Sequence, residues 1–154
     1  VFQIGFNRCG TKFLADIFRQ NGYSAAHWQR GALAENILFA KHAGTLPLGG
    51  IKPAHFFGDM ECCHRFDKPL LEAFREFEFL DQAFPKAYFI LNLRDPSAWI
   101  ASRCAHHDAR YIQFHSHHLN LPVADVPAYW LADWHAHIDA VRRYFKGHSK
   151  FIEY

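Results

Sequence analysis

A chain of 154 residues that is 50% hydrophobic, with 16 Phe and 4 Trp, is long enough to bury a sizeable core as a single domain. Its formal charge of +2 comes from 17 Lys and Arg scattered among 15 Asp and Glu, which argues against the basic stripe a nucleic-acid binder needs. No apolar run approaches the roughly 20 residues that cross a bilayer, and Cys 9, 62, 63 and 104 form no disulfide framework, so a cytoplasmic, reducing setting is expected. Val1 stands inside a predicted strand without a Met before it, so the domain, residues 1–154, is expected to be truncated at both ends.

Residues 1–5 are apolar enough for a short buried strand, and the stretch from Thr11 to Gln20 reads as a helix stopped at Asn21-Gly22. A second short strand is expected over 23–28 and a helix over 32–42. Pro47 and Gly49-Gly50 then mark a turn into a strand at Ile51-Lys52. Residues 66–84 carry Leu70, Leu71, Phe74, Phe77 and Leu80 at helical spacing and predict a helix closing before Pro85. A mostly apolar run over 88–93 predicts a strand buried on both faces. Asp95 caps a helix that begins at Pro96. Residues 106–126 read as a loop or broken helix over the site. Pro127 opens a helix to about residue 146, stopped at Gly147, and 150–154 is a last strand. Strands alternating with helices predict an α/β fold, a central parallel sheet flanked by helices.

The loop Ile4-Gly5-Phe6-Asn7-Arg8-Cys9-Gly10-Thr11-Lys12 has the glycine spacing of a nucleotide-binding P-loop, G-x-x-x-x-G-K-S/T, with the last pair inverted to Thr11-Lys12. The inversion displaces the hydroxyl that holds Mg²⁺, while Arg8 places a cation inside the loop. Free N–H groups at the helix start attract an anion, and Arg8, Thr11 and Lys12 add donors of about 1.5–3 kcal/mol each. An ordinary tight turn is the plainer alternative, but strand, loop and helix in this order favour an anion site. Arg94 falls at the carboxyl end of a strand, where open α/β sheets place ligands. Ser102 follows about two helical turns later, and together they suit a second phosphate group.

On these residues the chain resembles the P-loop sulfotransferases, which use 3′-phosphoadenosine 5′-phosphosulfate (PAPS) as donor. Asn7-Arg8-Cys9-Gly10-Thr11 looks like the family's 5′-phosphosulfate loop, and Arg94 with Ser102 looks like its 3′-phosphate motif, within the frequent Arg-Asp-Pro start. Lys52 to Phe56 is similar to the K-x-x-x-Y/H-F segment of carbohydrate-type members. The resemblance spans residues 1 to about 103, with a weaker echo to Tyr154; Lys12 replaces a Thr common in the family. It implies a P-loop NTPase-like fold and metal-free, in-line transfer of a sulfuryl group from PAPS to a hydroxyl or amine of a small-molecule, carbohydrate or lipid-linked acceptor. The donor would be held by Asn7, Arg8, Cys9, Gly10, Thr11, Lys12, Phe13, Arg94 and Ser102. Arg8 would stabilise the leaving phosphate, with Lys12 and Lys52 as candidate second donors, and His55 would be the first candidate for general base, with His27 and Asp59 as rivals.

The pairs His106-His107 and His117-His118, with His115 and the Cys62-Cys63-His64 run, invite a metal, but no known ligand spacing accompanies them. Surface or acceptor-pocket histidines are the expectation. Two other readings stand beside the first: an ATP-dependent P-loop kinase, which the inverted Thr11-Lys12 disfavours, and an inert PAPS- or anion-binding module.

Overall fold

The computed structural model describes residues 1–154. In chain order β1 (Phe2–Gln3) leads to α1 (Thr11–Gln20), then to β2 (Ala25–His27), α2 (Ala32–Ala43) and β3 (Phe56–Gly58). A small pair follows, β4 (Glu61–Cys62) and β5 (Leu71–Glu72), then α3 (Phe77–Ala83) and β6 (Phe89–Leu91). Helices α4 (Pro96–Cys104), α5 (Arg110–Leu119) and α6 (Val126–Tyr144) precede the last strand, β7 (Phe151–Glu153). No helix is long and apolar enough to cross a membrane.

The central sheet runs β2-β3-β1-β6-β7 with every pairing parallel. Its strands are short but apolar on both faces, as a sheet covered on both sides requires. Phe56 and Ile90 point to one face and pack with Leu14 and Ala15 of α1. Phe57, Phe89 and Leu91, one residue out of phase, point to the other and join a core of 27 residues that includes Trp99, Trp130 and Trp134. The aromatic side chains meet in tilted and stacked pairs, such as Trp99–Trp134 at 4.5 Å and Phe6–Trp99 at 5.0 Å between ring centroids. Each such pair adds about 0.5–1.5 kcal/mol to the burial itself.

The chain leaves β3 on one side of β1 and enters β6 on the other. That reversal opens a crevice beyond the carboxyl end of β1, the place where open α/β sheets take ligands.

Three expected elements differ. No strand forms at Ile51-Lys52; the strand is β3, starting at Phe56. Pro53 offers no N–H to a ladder, and the Phe56-Phe57 pair is what both faces bury. The helix expected over 66–84 is broken into β5, a 3₁₀ turn at Ala73–Arg75 and the shorter α3. Pairing of Leu71 with Cys62 and of Glu72 with Glu61 overrides the helical spacing there. Residues 106–126 contain a regular helix, α5, whose Tyr111, Ile112 and His115 are buried on one face. Asp95 caps α4 as expected, accepting from Ala98 N at 2.8 Å.

Candidate active site

Between β1 and α1 the backbone turns with its carbonyls inward. Asn92 Nδ2 donates to Cys9 O at 2.9 Å and to Phe6 O at 3.3 Å; Trp99 Nε1 donates to Asn7 O at 3.0 Å and Arg94 Nη1 to Arg8 O at 3.1 Å. The N–H groups of residues 7–13 donate to no other protein group. Arg8 (φ +64°) and Gly10 (φ +82°) are left-handed, which curves the run of amides into a nest at the start of α1. Such a concavity takes an anion. Gly5 is required for a different reason: a Cβ there would stand 2.5 Å from Asn92 O and overlap the Asn92 amide.

The nest opens into a cavity of about 530 Å³. Asn7, Arg8, Gly10, Thr11, Lys12 and Arg94 line it together with Trp28, His64, His106, His107 and Phe114. His27 and Asp59, at the carboxyl ends of β2 and β3, line it as well. The two sequence motifs meet physically, since Arg8 Nε donates to Ser102 Oγ at 3.1 Å while Arg94 holds Arg8 O. Lys12 is exposed and pairs with Asp16 at 2.7 Å. Cys9 is buried beneath the loop, and burial pushes its thiol up to about 12. Phe13 is 55% exposed on α1, outside both core and cavity wall.

Lys52 and His55 are not brought to this cavity. They precede β3 and so lie at the opposite, amino end of the parallel sheet, where Val1 N donates to His55 O at 2.7 Å. The His55 ring is engaged by Ser24 Oγ at 2.9 Å and Tyr23. The roles expected of these two residues are therefore corrected on position: a strand length separates them from the nest.

The two rival base candidates do reach it. His27 Nε2 lies 3.1 Å from Thr11 Oγ1 and 3.6 Å from Asp59 Oδ2. Burial lowers the His27 pKa, disfavouring the charged ring. Burial, reinforced by the charge of Glu61, raises the Asp59 carboxyl to about 7, against the opposing pull of Arg8 and Arg103. A carboxylate poised there, on a cavity wall, is suited to proton abstraction near neutral pH.

Behind the nest lies a buried polar cluster that sequence reasoning missed. Arg103 Nε donates to Asn7 Oδ1 at 3.1 Å, and its Nη2 donates to Tyr111 OH at 2.6 Å and Glu61 Oε2 at 3.3 Å. Tyr111 OH donates to Glu61 Oε1, and the guanidinium sits 4.6 Å from the Trp130 ring and 4.7 Å from the Trp99 ring. Burial opposes the charge of Glu61, but the proton aimed at it from His115 and the Arg103 guanidinium outweigh that and hold its carboxyl below the usual range. Asn7 is thereby committed: its side chain serves the cluster, leaving its N–H for the nest. The signal for this cluster was available only as polar residues beside apolar runs, Gln3, Glu61, Asn92 and Arg103, which are buried only when partnered.

Glu61, Cys63 and His115 bring their ligand atoms within 4.8 Å of one another. The tautomer of His115 excludes a metal there. Trp130 Nε1, a donor only, donates to His115 Nδ1 at 3.2 Å. The neutral ring must then carry its proton on Nε2, which faces Glu61 Oε1 at 3.8 Å and has no lone pair for a cation. His115 is thus a core residue, contrary to the expectation of a surface or pocket position, while His106 and His107 do line the cavity.

A family model described as sulfotransferase domain matches residues 1–153. No curated protein matches the chain.

Proposed function

The chain belongs to the sulfotransferase-domain family, and on that premise we propose that it transfers a sulfuryl group from PAPS to a hydroxyl of a small acceptor, with Asp59 as the general base. The observation that carries this reading is the inward pinning of the carbonyls of residues 6–9, which leaves the amides that follow them free toward a cavity that Arg8 and Asp59 both line.

The donor's 5′-phosphosulfate rests on the amides of the nest, and its 3′-phosphate lies toward Arg94 and Ser102. Phe13, exposed one residue past Lys12, is available to an adenine ring. The acceptor enters past Trp28, His64 and Phe114. Asp59 takes the acceptor's proton as the new O–S bond forms. The bond from sulfur to the bridging phosphate oxygen breaks in line, and its electron pair stays on the leaving 3′-phosphoadenosine 5′-phosphate (PAP). Arg8 and the nest amides, already oriented, stabilise that developing charge, the usual main requirement of such transfers. His27 stands between the two, bonded to Thr11 Oγ1 and 3.6 Å from Asp59 Oδ2.

Calorimetric titration with PAP and with ADP, in EDTA, tests the reading. A preference for PAP of more than tenfold is expected, because only PAP carries the 3′-phosphate. Equal affinity, or binding only after Mg²⁺ is restored, would move the protein to a kinase-like chemistry.

A further inference from the structure

We propose that the buried amides of Gln3 and Asn92 form a positioning relay that holds Asp59 and the anion nest in fixed register; the inference rests on the sulfuryl-transfer reading above. Both side chains are fully buried, Gln3 in β1 and Asn92 one residue past the end of the neighbouring β6. Asp59 N donates to Gln3 Oε1 at 2.8 Å. Gln3 Nε2 donates in turn to Asn92 Oδ1 at 2.6 Å and to Gly5 O. Asn92 Nδ2 then holds Cys9 O and Phe6 O. One unbroken chain of hydrogen bonds therefore runs from the backbone of the base to the backbone of the loop.

The orientation of both amides is dictated by their partners. Gln3 must turn its oxygen to the Asp59 N–H, which leaves its NH₂ for two carbonyl oxygens; Asn92 must turn its NH₂ to the loop carbonyls, which leaves its oxygen for Gln3. A flip of either would set donor against donor. Apolar side chains of similar size would fill the same space but leave the Asp59 N–H and the loop carbonyls without these partners, so packing alone does not explain amides at these positions. Asp59 is also left-handed, at φ +55°, a strained state for a residue with a side chain and one that surrounding bonds must hold. Gly5 makes room for the relay, since a Cβ there would press on Asn92.

The charged groups facing Asp59 come from several elements: His27 from β2, Glu61 from β4, Arg8 from the loop and Arg103 from α4. None of them fixes its backbone; Gln3 does. The relay makes Gln3 a positioning residue, acting on the proton transfer through Asp59, and makes Asn92 its counterpart on the donor side.

Gln3→Met and Asn92→Leu separate the two ends. Gln3→Met is expected to lower kcat about a hundredfold, the scale of an ångström's misplacement, to leave the PAP Kd within about twofold, and to move the acid limb of kcat/KM to lower pH as Asp59 relaxes toward solvent. Gln3→Glu, whose protonated carboxyl keeps an oxygen for Asp59 N–H and a hydrogen for Asn92, should restore most of kcat. Asn92→Leu is expected instead to weaken PAP binding more than about tenfold, since it frees the nest carbonyls. In the wild-type protein the Gln3 side-chain amide resonances should shift on saturation with PAP, a readout that needs no variant to fold. Unmoved resonances would overturn the relay. So would Gln3→Met with a wild-type kcat and pH limb, or with kcat and PAP affinity falling in parallel. Should Asp59→Asn stop turnover while Gln3→Met does not, the relay falls and the base assignment stands. If wild-type protein binds no PAP, the sulfuryl-transfer reading falls and the relay with it.

Discussion

Arg8 combines two features that rarely coincide: a left-handed backbone and an exposed guanidinium held by Ser102. The strain of about 1–2 kcal/mol for a non-glycine in that region is offset by the bonds that Arg94 and Ser102 make to it. Arg8→Ala is expected to lower kcat by two to three orders of magnitude, roughly the loss on removing a stabiliser of transition-state charge, with a smaller effect on PAP affinity. Single-turnover kinetics at saturating donor would show it; an unchanged rate would remove Arg8 from the mechanism. Asp59 makes a prediction about pH. With its carboxyl raised to about 7, the base is protonated below that pH and ionised above it. The kcat/KM of the free enzyme should therefore rise as pH passes through about 7 and level off above. Asp59→Asn should abolish turnover and leave PAP binding intact. A surviving limb in His27→Ala would confirm that the carboxylate, not the imidazole, is being titrated.

At the scale of elements, the loop between β1 and α1 depends on what β6 and α4 present to it. Asn92 stands one residue past β6 and Trp99 one turn into α4, so the strand-to-helix junction at Asp95 sets where both donors point. Asp95→Ala removes the cap bond to Ala98 N and should destabilise the protein by about 1 kcal/mol, with a weakened PAP Kd because Arg94 immediately precedes it. Gly5→Ala carries a sharper expectation. Its Cβ cannot share space with Asn92, so the variant should lose PAP binding while Gly147→Ala, placed in open surroundings at the end of the chain's longest helix, should bind PAP normally. Parallel calorimetry of the two would distinguish a loop effect from a general loss of glycine. Left-handed Asn120 closes α5 with its N–H on the Ser116 and His117 carbonyls, and Tyr111 ties the helix to Arg103.

For the whole molecule, the charged cluster around Arg103 and the buried His137 decide how the fold responds to acid. Removing one partner of a buried pair leaves the other charge unbalanced, at about 3–5 kcal/mol. Glu61→Gln should therefore lower Tm markedly although it touches no proposed substrate atom. His137 donates from Nε2 to Ile4 O at 2.7 Å, and burial lowers its pKa to about 4. A folded-state pKa below the ordinary 6.5 means stability present above 6.5 and lost as pH falls through about 4. Glu61, held below its ordinary 4.5, adds a second loss below 4.5. Asp59, raised to about 7, acts with the opposite sign, so the contribution of His137 is read as a difference: between pH 7 and pH 4 the Tm of His137→Phe should fall less than that of the wild type. An unchanged slope in that variant would assign the acid lability elsewhere.

What the residues alone determined were the local features: the glycine spacing of the loop, the helix starts at Thr11 and Pro96, the Asp95 cap, the two-faced strands and the family they resemble. These rest on backbone chemistry and near-neighbour periodicity, which are written along the chain. Tertiary structure alone decided which residues share the cavity. Lys52 and His55 fit a motif by spacing but stand at the wrong end of a parallel strand, whereas Asp59, only four residues beyond His55, stands at the right one. It also decided that Gln3, Asn92, Trp99 and Arg103 work on the loop, because a hydrogen bond between residues 89 positions apart leaves no trace in either neighbourhood. The same holds for His115: its tautomer is dictated by Trp130 across a helix packing, and only that contact separates a core histidine from a metal ligand.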